Sequence, residues 1–199
     1  NLKDMTMERS CATLFGYTPE EVVKNLPGLL HRFAEANGLT DAQGLAEIKR
    51  WYDGYLFHPK AEQVINPVSL GLCLFSCELK NYWSTTAMTT FLMDALKRQP
   101  LNFAKVDVDE SVLGTYEPDR ADLTTLLFQT GYLTIKSLHV LGRRRLYTLD
   151  FPNAEVEDSF VTQVVPAYTA QDEDFSRAAQ ANAAKALYAR DVPRFVKIL

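Results

Sequence analysis

Residues 131–149, GYLTIKSLHVLGRRRLYTL, decide the fold of this chain. β-Branched and aromatic side chains occupy both ends of the stretch, and Gly142 lies between them. Such residues favour extended strands, and glycine accepts the positive backbone φ that a tight turn requires. The pattern therefore predicts a β-hairpin whose chain reverses near Gly142.

Two predicted helices flank the hairpin. Residues 119–130 carry leucines at helical spacing ahead of it, and Asn153 can cap a helix with acidic residues in its first turn. The alternating segment Val106–Asp109 predicts a further short strand. Because helix, hairpin and helix follow one another as in a winged helix, we expect a winged-helix-like unit over residues 102–170.

Before residue 102 the sequence predicts helices only. Thr18 and Thr40 each stand three residues before a Glu or Gln, which is the capping-box spacing that begins a helix. Pro27 is expected to split the first of these helices, because proline has no backbone N–H to donate. Asn66 and Pro67 are expected to begin an almost wholly apolar helix, which should lie buried.

This pattern predicts a mainly α fold with a small β-hairpin. A helical lid-like domain (1–101), with a last helix after Ser84, precedes the winged-helix-like unit. Residues 171–199 are predicted to form a helical connector toward a missing C-terminal domain. Asn1 is not an initiator methionine and the apolar pattern continues to Leu199 without a cap, so we expect a piece of a longer polypeptide.

Composition narrows the class of protein. The chain has 199 residues, of which 47% are hydrophobic and 23% charged, as in a globular domain with a sizeable core. The net charge of -4 excludes the diffuse basic field of a dedicated nucleic-acid binder. Three scattered cysteines indicate a reducing compartment, and the longest apolar stretch is shorter than the ~20 residues that cross a bilayer. We predict a cytoplasmic protein without a membrane partner.

The residues of nucleotide and metal chemistry are missing from the sequence. No Gly-rich phosphate-binding loop, dinucleotide fingerprint or apolar strand ending in Asp-Glu occurs. Cys73 and Cys77 share a helix face, but a structural zinc site needs four ligands and His58 is isolated in a loop. We therefore predict no catalytic, cofactor-binding or metal-binding residue in this chain.

Two segments, EIK (47–49) and ELK (78–80), spell the acid-x-Lys half of a PD-(D/E)xK nuclease site. In such a site the half-motif lies on a strand, where alternate side chains face one way. Both segments are predicted to lie on helices, where alternate side chains diverge, so we interpret neither as catalytic.

Two clusters could contact a partner. Arg143, Arg144 and Arg145 lie at the predicted hairpin tip, where they either contact nucleic-acid phosphates or form a solvated turn. The segment WYDGY (51–55) places three aromatic residues around an acid at a helix end, and is either a structural corner or an interface. Asp53 opposes the helix dipole there, so we expect it to accept a hydrogen bond from a backbone N–H or an arginine.

Six short motifs, read in order, resemble one bacterial family: LFGYT (14–18), WYDGY (51–55), INP (65–67), YW (82–83), TGYLTI (130–135) and FPNAEV (151–156). This is the predicted AAA-ATPase-like family, whose members usually carry a PD-(D/E)xK nuclease domain at the C-terminus. The resemblance spans about residues 1–165. It implies a structural role for these motif residues: Trp51, Tyr52, Asp53, Gly54, Tyr55, Asn66, Pro67, Gly131 and Tyr132.

The resemblance also implies where the chemistry of the parent protein lies. In that family the phosphate-binding loop and the Mg²⁺-binding acids precede the segment that this chain resembles, and the nuclease residues follow it. ATP and Mg²⁺ are thus implied as cofactors of the parent protein and not of this chain. The implied partners are the ATPase core and nuclease domain of the same polypeptide, and nucleic acid is a further candidate.

Three functions follow as hypotheses. The first is a non-catalytic regulatory or interaction fragment, whose lid moves with the nucleotide state of an ATPase core. The second is a DNA-binding module that uses the basic hairpin wing. The third is a protein-interaction scaffold without chemistry even in the parent protein.

Overall fold

The structure is a computed structural model that describes Met5 and residues 7–83, 106–110, 113, 123–169 and 177–198. Within these ranges it has eight α-helices and a three-stranded antiparallel sheet. The helices are α1 Pro19–Asn25, α2 Pro27–Ala36, α3 Asp41–Tyr52, α4 Pro67–Ser76, α5 Leu123–Gln129, α6 Ala154–Thr169, α7 Arg177–Tyr188 and α8 Val192–Ile198. The strands are β1 Val106–Asp109, β2 Thr134–Leu141 and β3 Arg144–Asp150.

The fold is therefore mixed, with a small sheet and not a hairpin alone. The helix predicted after Ser84 and residues 119–122 of the helix predicted before the hairpin lie outside the described residues. Among the helices of the described ranges, none has the length and apolar character needed to cross a membrane.

The helix starts predicted at Thr18, Thr40 and Asn66 are confirmed. The Thr18 hydroxyl accepts a hydrogen bond from the backbone N–H of Glu21 at 3.2 Å, and the Glu21 carboxylate accepts one from the N–H of Thr18 at 2.9 Å. Thr40 and Gln43 form the same capping box at the start of α3. α1 ends at Asn25 and α2 begins at Pro27, as expected from the missing proline N–H.

The predicted burial of α4 is wrong for half of its surface. Asn66 caps the helix as expected, since its side-chain oxygen accepts from the backbone N–H groups of Val68 and Ser69. α2 and α3 cover only one side of α4, so Leu70, Cys73 and Leu74 are buried there. The opposite side exposes three large apolar side chains: Val68, Leu72 and Phe75, the last of them 82% exposed.

The end of α4 also corrects the interpretation of the ELK segment (78–80). α4 ends at Ser76 because Cys77 adopts a left-handed conformation with φ 56°, so residues 78–80 are not helical. Glu78 and Lys80 form an ion pair with each other. The described residues contain no group of three or more His, Cys, Asp or Glu side chains placed to hold a metal ion, and the non-catalytic interpretation of this segment stays a prediction.

The sheet contains the predicted hairpin and the predicted short strand. β2 and β3 pair antiparallel with a turn at Gly142, whose φ is 64°. β1 pairs with the other edge of β3, which gives the strand order β1-β3-β2. Because side chains alternate between faces, Val108, Tyr147 and Leu149 lie on one face of the sheet, and all three are buried.

The described residues form two hydrophobic cores. The bundle core lies among α1 to α4 and includes Phe33, Ile48 and Tyr52. The sheet core packs the sheet against α5 to α8, and the loop of residues 55–64 also contributes to it. Side chains of the predicted connector, such as that of Phe195, belong to the sheet core, while the predicted boundaries at residues 101 and 171 stay predictions.

Candidate functional site

The WYDGY segment (51–55) forms a tight corner between the two cores. The Asp53 carboxylate accepts a hydrogen bond from the backbone N–H of Gly54 at 2.7 Å, so the expected backbone partner is confirmed. Burial raises the pKa of Asp53, and the Gly54 hydrogen bond opposes that shift. Gly54 has φ 111°, and a Cβ there would stand 2.1 Å from the carbonyl oxygen of Pro152. Only glycine fits this close approach.

The two tyrosines of the corner point into different cores. The Tyr52 hydroxyl, in the bundle core, donates to the Lys80 carbonyl at 2.9 Å and accepts from the Lys80 N–H at 3.1 Å. Tyr55 lies in the sheet core and pairs with Val64. The next residue, Leu56, donates its N–H to the Thr134 hydroxyl at 2.8 Å. The corner thus connects α3 to the start of β2.

Glu155, in the first turn of α6, is the polar centre of the same region. Its side chain is 0% exposed. One carboxylate oxygen accepts from the Ser69 hydroxyl at 2.8 Å, and the other accepts from the N–H groups of Tyr82 and Trp83 at 2.8 and 3.1 Å. Burial raises the pKa of Glu155, and these hydrogen bonds oppose the shift. One buried carboxylate therefore joins α4, residues 82–83 and α6.

Aromatic rings fill the space around these hydrogen bonds. The ring centroid of Trp83 lies 6.2 Å from that of Tyr55 and 6.2 Å from that of Tyr132, and the Trp83 and Tyr132 rings meet edge-on. Tyr132 in turn contacts Phe160 edge-on at 5.9 Å. A Cβ at Gly131 would stand 3.2 Å from the Trp83 ring, so the small residue lets the ring approach the chain. We call this region the motif junction, comprising residues 52–56, 64–67, 81–83, 131–134 and 151–155.

The motif junction contains most of the residues for which the resemblance implied a structural role. Trp51 lies outside it, against the bundle core, with the Arg50 guanidinium 5.5 Å above its ring. Asn66 and Pro67 begin α4 at its edge. The sequence marked Glu155 as a first-turn acid and as part of the FPNAEV motif, but not as a buried centre, because its partner Ser69 is 86 residues away and no local spacing connects the two.

A mostly apolar cavity of about 240 Å³ opens beside the motif junction. Aromatic side chains from four chain segments line it, among them Phe15, Phe57 and Phe128. Two of its polar lining residues, Asn66 and Gln129, have partners within the protein, whereas the buried Tyr55 hydroxyl has no hydrogen-bond partner among the described residues. The Asn66 amide caps α4, and the Gln129 amide donates to the Leu113 carbonyl at 3.2 Å. A lining that is mainly apolar suits contacts with apolar groups.

The arginines predicted to bind nucleic acid lie at the hairpin tip, which we define as residues 140–145. Arg143, Arg144 and Arg145 are all exposed. Arg145 shares a sheet face with Tyr147, and its guanidinium stands 3.4 Å from the Glu110 carboxylate. Arg143 and Arg144 form no ion pair within the described part of the chain.

Cys73 and Cys77, which the sequence places on one helix face, are both free thiols in the structure. Cys73 is buried in the bundle core, and burial raises the pKa of its thiol to about 12. No group of three or more His, Cys, Asp or Glu side chains in the described ranges could hold a metal ion.

Comparison with known proteins gives one curated relative and neither a family model nor a solved structure. No protein-family model matches the chain, and no solved structure does. Among curated proteins, the chain is similar to the "Uncharacterized protein in vnfD 5'region" of Azotobacter chroococcum mcd 1, with 32% identity over 166 residues. The match covers 80% of this chain and 29% of the relative, so the chain spans less than a third of that protein's length.

Proposed function

We propose that this chain is a non-catalytic regulatory or interaction part of a larger AAA-ATPase-like protein, made of a helical lid and a winged-helix-like unit. The parent protein would couple the binding of ATP and Mg²⁺, outside this chain, to the processing of nucleic acid. The observation that carries the proposal is the motif junction. Its segments use their polar groups to hold the two cores together, and a lid that transmits motion needs such a connection.

The order of elements around the sheet supports the winged-helix-like part of the proposal. α5 directly precedes the β2–β3 hairpin, and α6 directly follows it. β1 pairs with β3 on the side away from β2. A winged helix likewise has a helix before its hairpin and a third strand against the hairpin's second strand.

The exposed apolar side of α4 supports the part of the proposal that describes residues 1–101 as a lid. Val68, Leu72 and Phe75 form an apolar face on one helix, a kind of surface that commonly marks a protein contact. We propose that the ATPase core of the same polypeptide covers this face. The partner domains and the cytoplasmic location remain part of the same proposal.

Isothermal titration calorimetry tests the proposal. Residues 1–199 are expected to bind no Mg²⁺-ATP, whereas the full-length Azotobacter relative is expected to bind it. Deleting the matching 166 residues from the relative should change its rate of ATP hydrolysis without abolishing ATP binding. Tight, Mg²⁺-dependent ATP binding by residues 1–199 alone would contradict the proposal. A full-length relative that binds no ATP would instead favour a protein-interaction scaffold.

A second candidate function is nucleic-acid binding through the hairpin tip. The observation that favours it is the exposure of Arg143 and Arg144, which form no ion pair within the described residues. Val140 and Leu141 beside them are each 69% exposed, and apolar side chains next to arginines suit a wing that enters a minor groove. Binding of this kind would depend on salt and be mostly independent of sequence.

A further inference from the structure

A second positively charged surface lies beside the hairpin, on the face of β2 and β3 that carries Tyr147. It is a groove of about 550 Å³, which we call the basic groove. Among the described residues, its charged and titratable lining residues are Arg9, His58, Lys60, Glu110, Arg145 and Tyr147. Three permanent cations and one acid thus line one groove in a chain whose net charge is -4.

The cations of the basic groove are poorly neutralised by the protein itself. Arg145 and Glu110 stand 3.4 Å apart, but both side chains are more than half exposed, at 59% and 53%. An exposed ion pair of this kind contributes little to stability, so a stronger anion can replace Glu110. Arg9 and Lys60 have no ion pair within the described ranges. Like charges that face one groove without partners favour an anionic ligand.

Ordered backbone presents these cations. Residues 58–61 form a turn in which Lys60 donates its N–H to the His58 ring at 3.1 Å and Ala61 donates to the His58 carbonyl at 2.9 Å. Arg9 begins the 3₁₀ helix Arg9–Cys11. Arg145 lies on β3 directly across from Val140. Three separate chain segments therefore place one cation each along the groove.

We propose that the basic groove binds the phosphodiester backbone of nucleic acid, with Arg9, Lys60 and Arg145 contacting phosphates. The proposal deepens the second candidate function and rests on it. Cations from three segments along an open groove suit a repeated anion, because a single phosphate cannot contact all of a surface this large. The groove continues from the hairpin tip through Arg145, so one backbone can contact both surfaces.

Fluorescence anisotropy with a short, labelled DNA duplex of mixed sequence tests the basic groove. Replacing Arg9 and Lys60 together by Ala should weaken binding by about tenfold or more. The slope of log Kd against log salt should fall by about one for each cation removed. Glu110→Gln should strengthen binding, because it removes the competing acid. A matched loss of two exposed lysines elsewhere, Lys24→Ala with Lys185→Ala, should change binding much less.

Further measurements in the same assay distinguish the basic groove from other binding sites. Inorganic phosphate at constant ionic strength should not displace the duplex, and displacement would indicate a site for a single phosphate instead. If Arg143→Ala with Arg144→Ala abolishes binding while the Arg9 and Lys60 variant binds normally, the basic groove proposal is wrong and the hairpin tip remains the candidate. If the unaltered chain does not bind the duplex at low salt, both are overturned.

Discussion

The motif junction and the hairpin tip are both dense, unusual clusters in the sequence, but the structure uses them in opposite ways. At the junction, the Glu155 carboxylate is fully buried and accepts three hydrogen bonds. At the tip, Arg143 and Arg144 are exposed and unpaired within the described residues. This contrast indicates that a buried charge whose hydrogen bonds are made internally, as at Glu155, maintains the fold. A cluster whose charges are left open is available to a partner.

The largest expected effect is the loss of the Glu155 carboxylate. Glu155→Ala leaves the Ser69 hydroxyl and the N–H groups of Tyr82 and Trp83 without their acceptor in a buried site. We expect the free energy of unfolding to fall by about 3–5 kcal/mol, because each unsatisfied buried donor costs about 1–3 kcal/mol. Urea denaturation followed by circular dichroism measures this change. A loss below about 1 kcal/mol would mean that the junction does not hold the two cores together.

Glu155→Gln separates hydrogen bonding from charge. The amide oxygen can still accept from backbone N–H groups, so this variant should lose less stability than Glu155→Ala. Burial holds the pKa of Glu155 above its ordinary value of 4.5, so the folded state binds the proton more tightly than the unfolded state. The contribution of this protonation to the free energy of unfolding is thus fully present below pH 4.5 and is lost as pH rises through the pKa of Glu155 in the folded state. As pH rises above 4.5, the free energy of unfolding of the wild type should therefore fall relative to that of Glu155→Gln. A difference between the two free energies that does not change with pH would contradict this.

A smaller effect is expected at the corner of the junction. Gly54→Ala forces a Cβ to within 2.1 Å of the Pro152 carbonyl oxygen at φ 111°. Backbone strain and overpacking should together lower the free energy of unfolding by about 2–4 kcal/mol. Gly71→Ala is the matched control, because a Cβ at this position of α4 meets nothing within 4 Å. The control should stabilise the protein by about 0.5–1 kcal/mol. Equal effects at Gly54 and Gly71 would contradict the tight corner.

What the sequence predicted well depends on residues close together in the chain. The capping boxes of Thr18 and Thr40 need only the residue three positions later, and the turn at Gly142 needs only a glycine between two strand-forming runs. Asp53 was also expected to accept from a backbone N–H, and its partner Gly54 is the next residue. Local geometry is enough for all of these.

What the sequence missed depends on partners far along the chain. The burial of Glu155 requires Ser69, which lies 86 residues earlier. The exposed side of α4 could not be predicted, because an all-apolar helix does not say how many neighbours cover it. The strand Val106–Asp109 was predicted, but its pairing with β3 was not, since alternation alone names no partner strand.

The smallest effect on stability is expected at the hairpin tip, which makes it the sharpest contrast with the junction. Arg143→Ala with Arg144→Ala should change the free energy of unfolding by less than about 0.5 kcal/mol, because neither side chain is buried or ion-paired within the described residues. The same variant should weaken DNA binding if the tip contacts phosphates. Thermal unfolding and duplex anisotropy on one protein sample measure the two effects together. If the free energy of unfolding falls as much as in Gly54→Ala, the hairpin tip has a structural role like that of the motif junction. Unchanged stability with weaker DNA binding would instead show that these charges serve a partner.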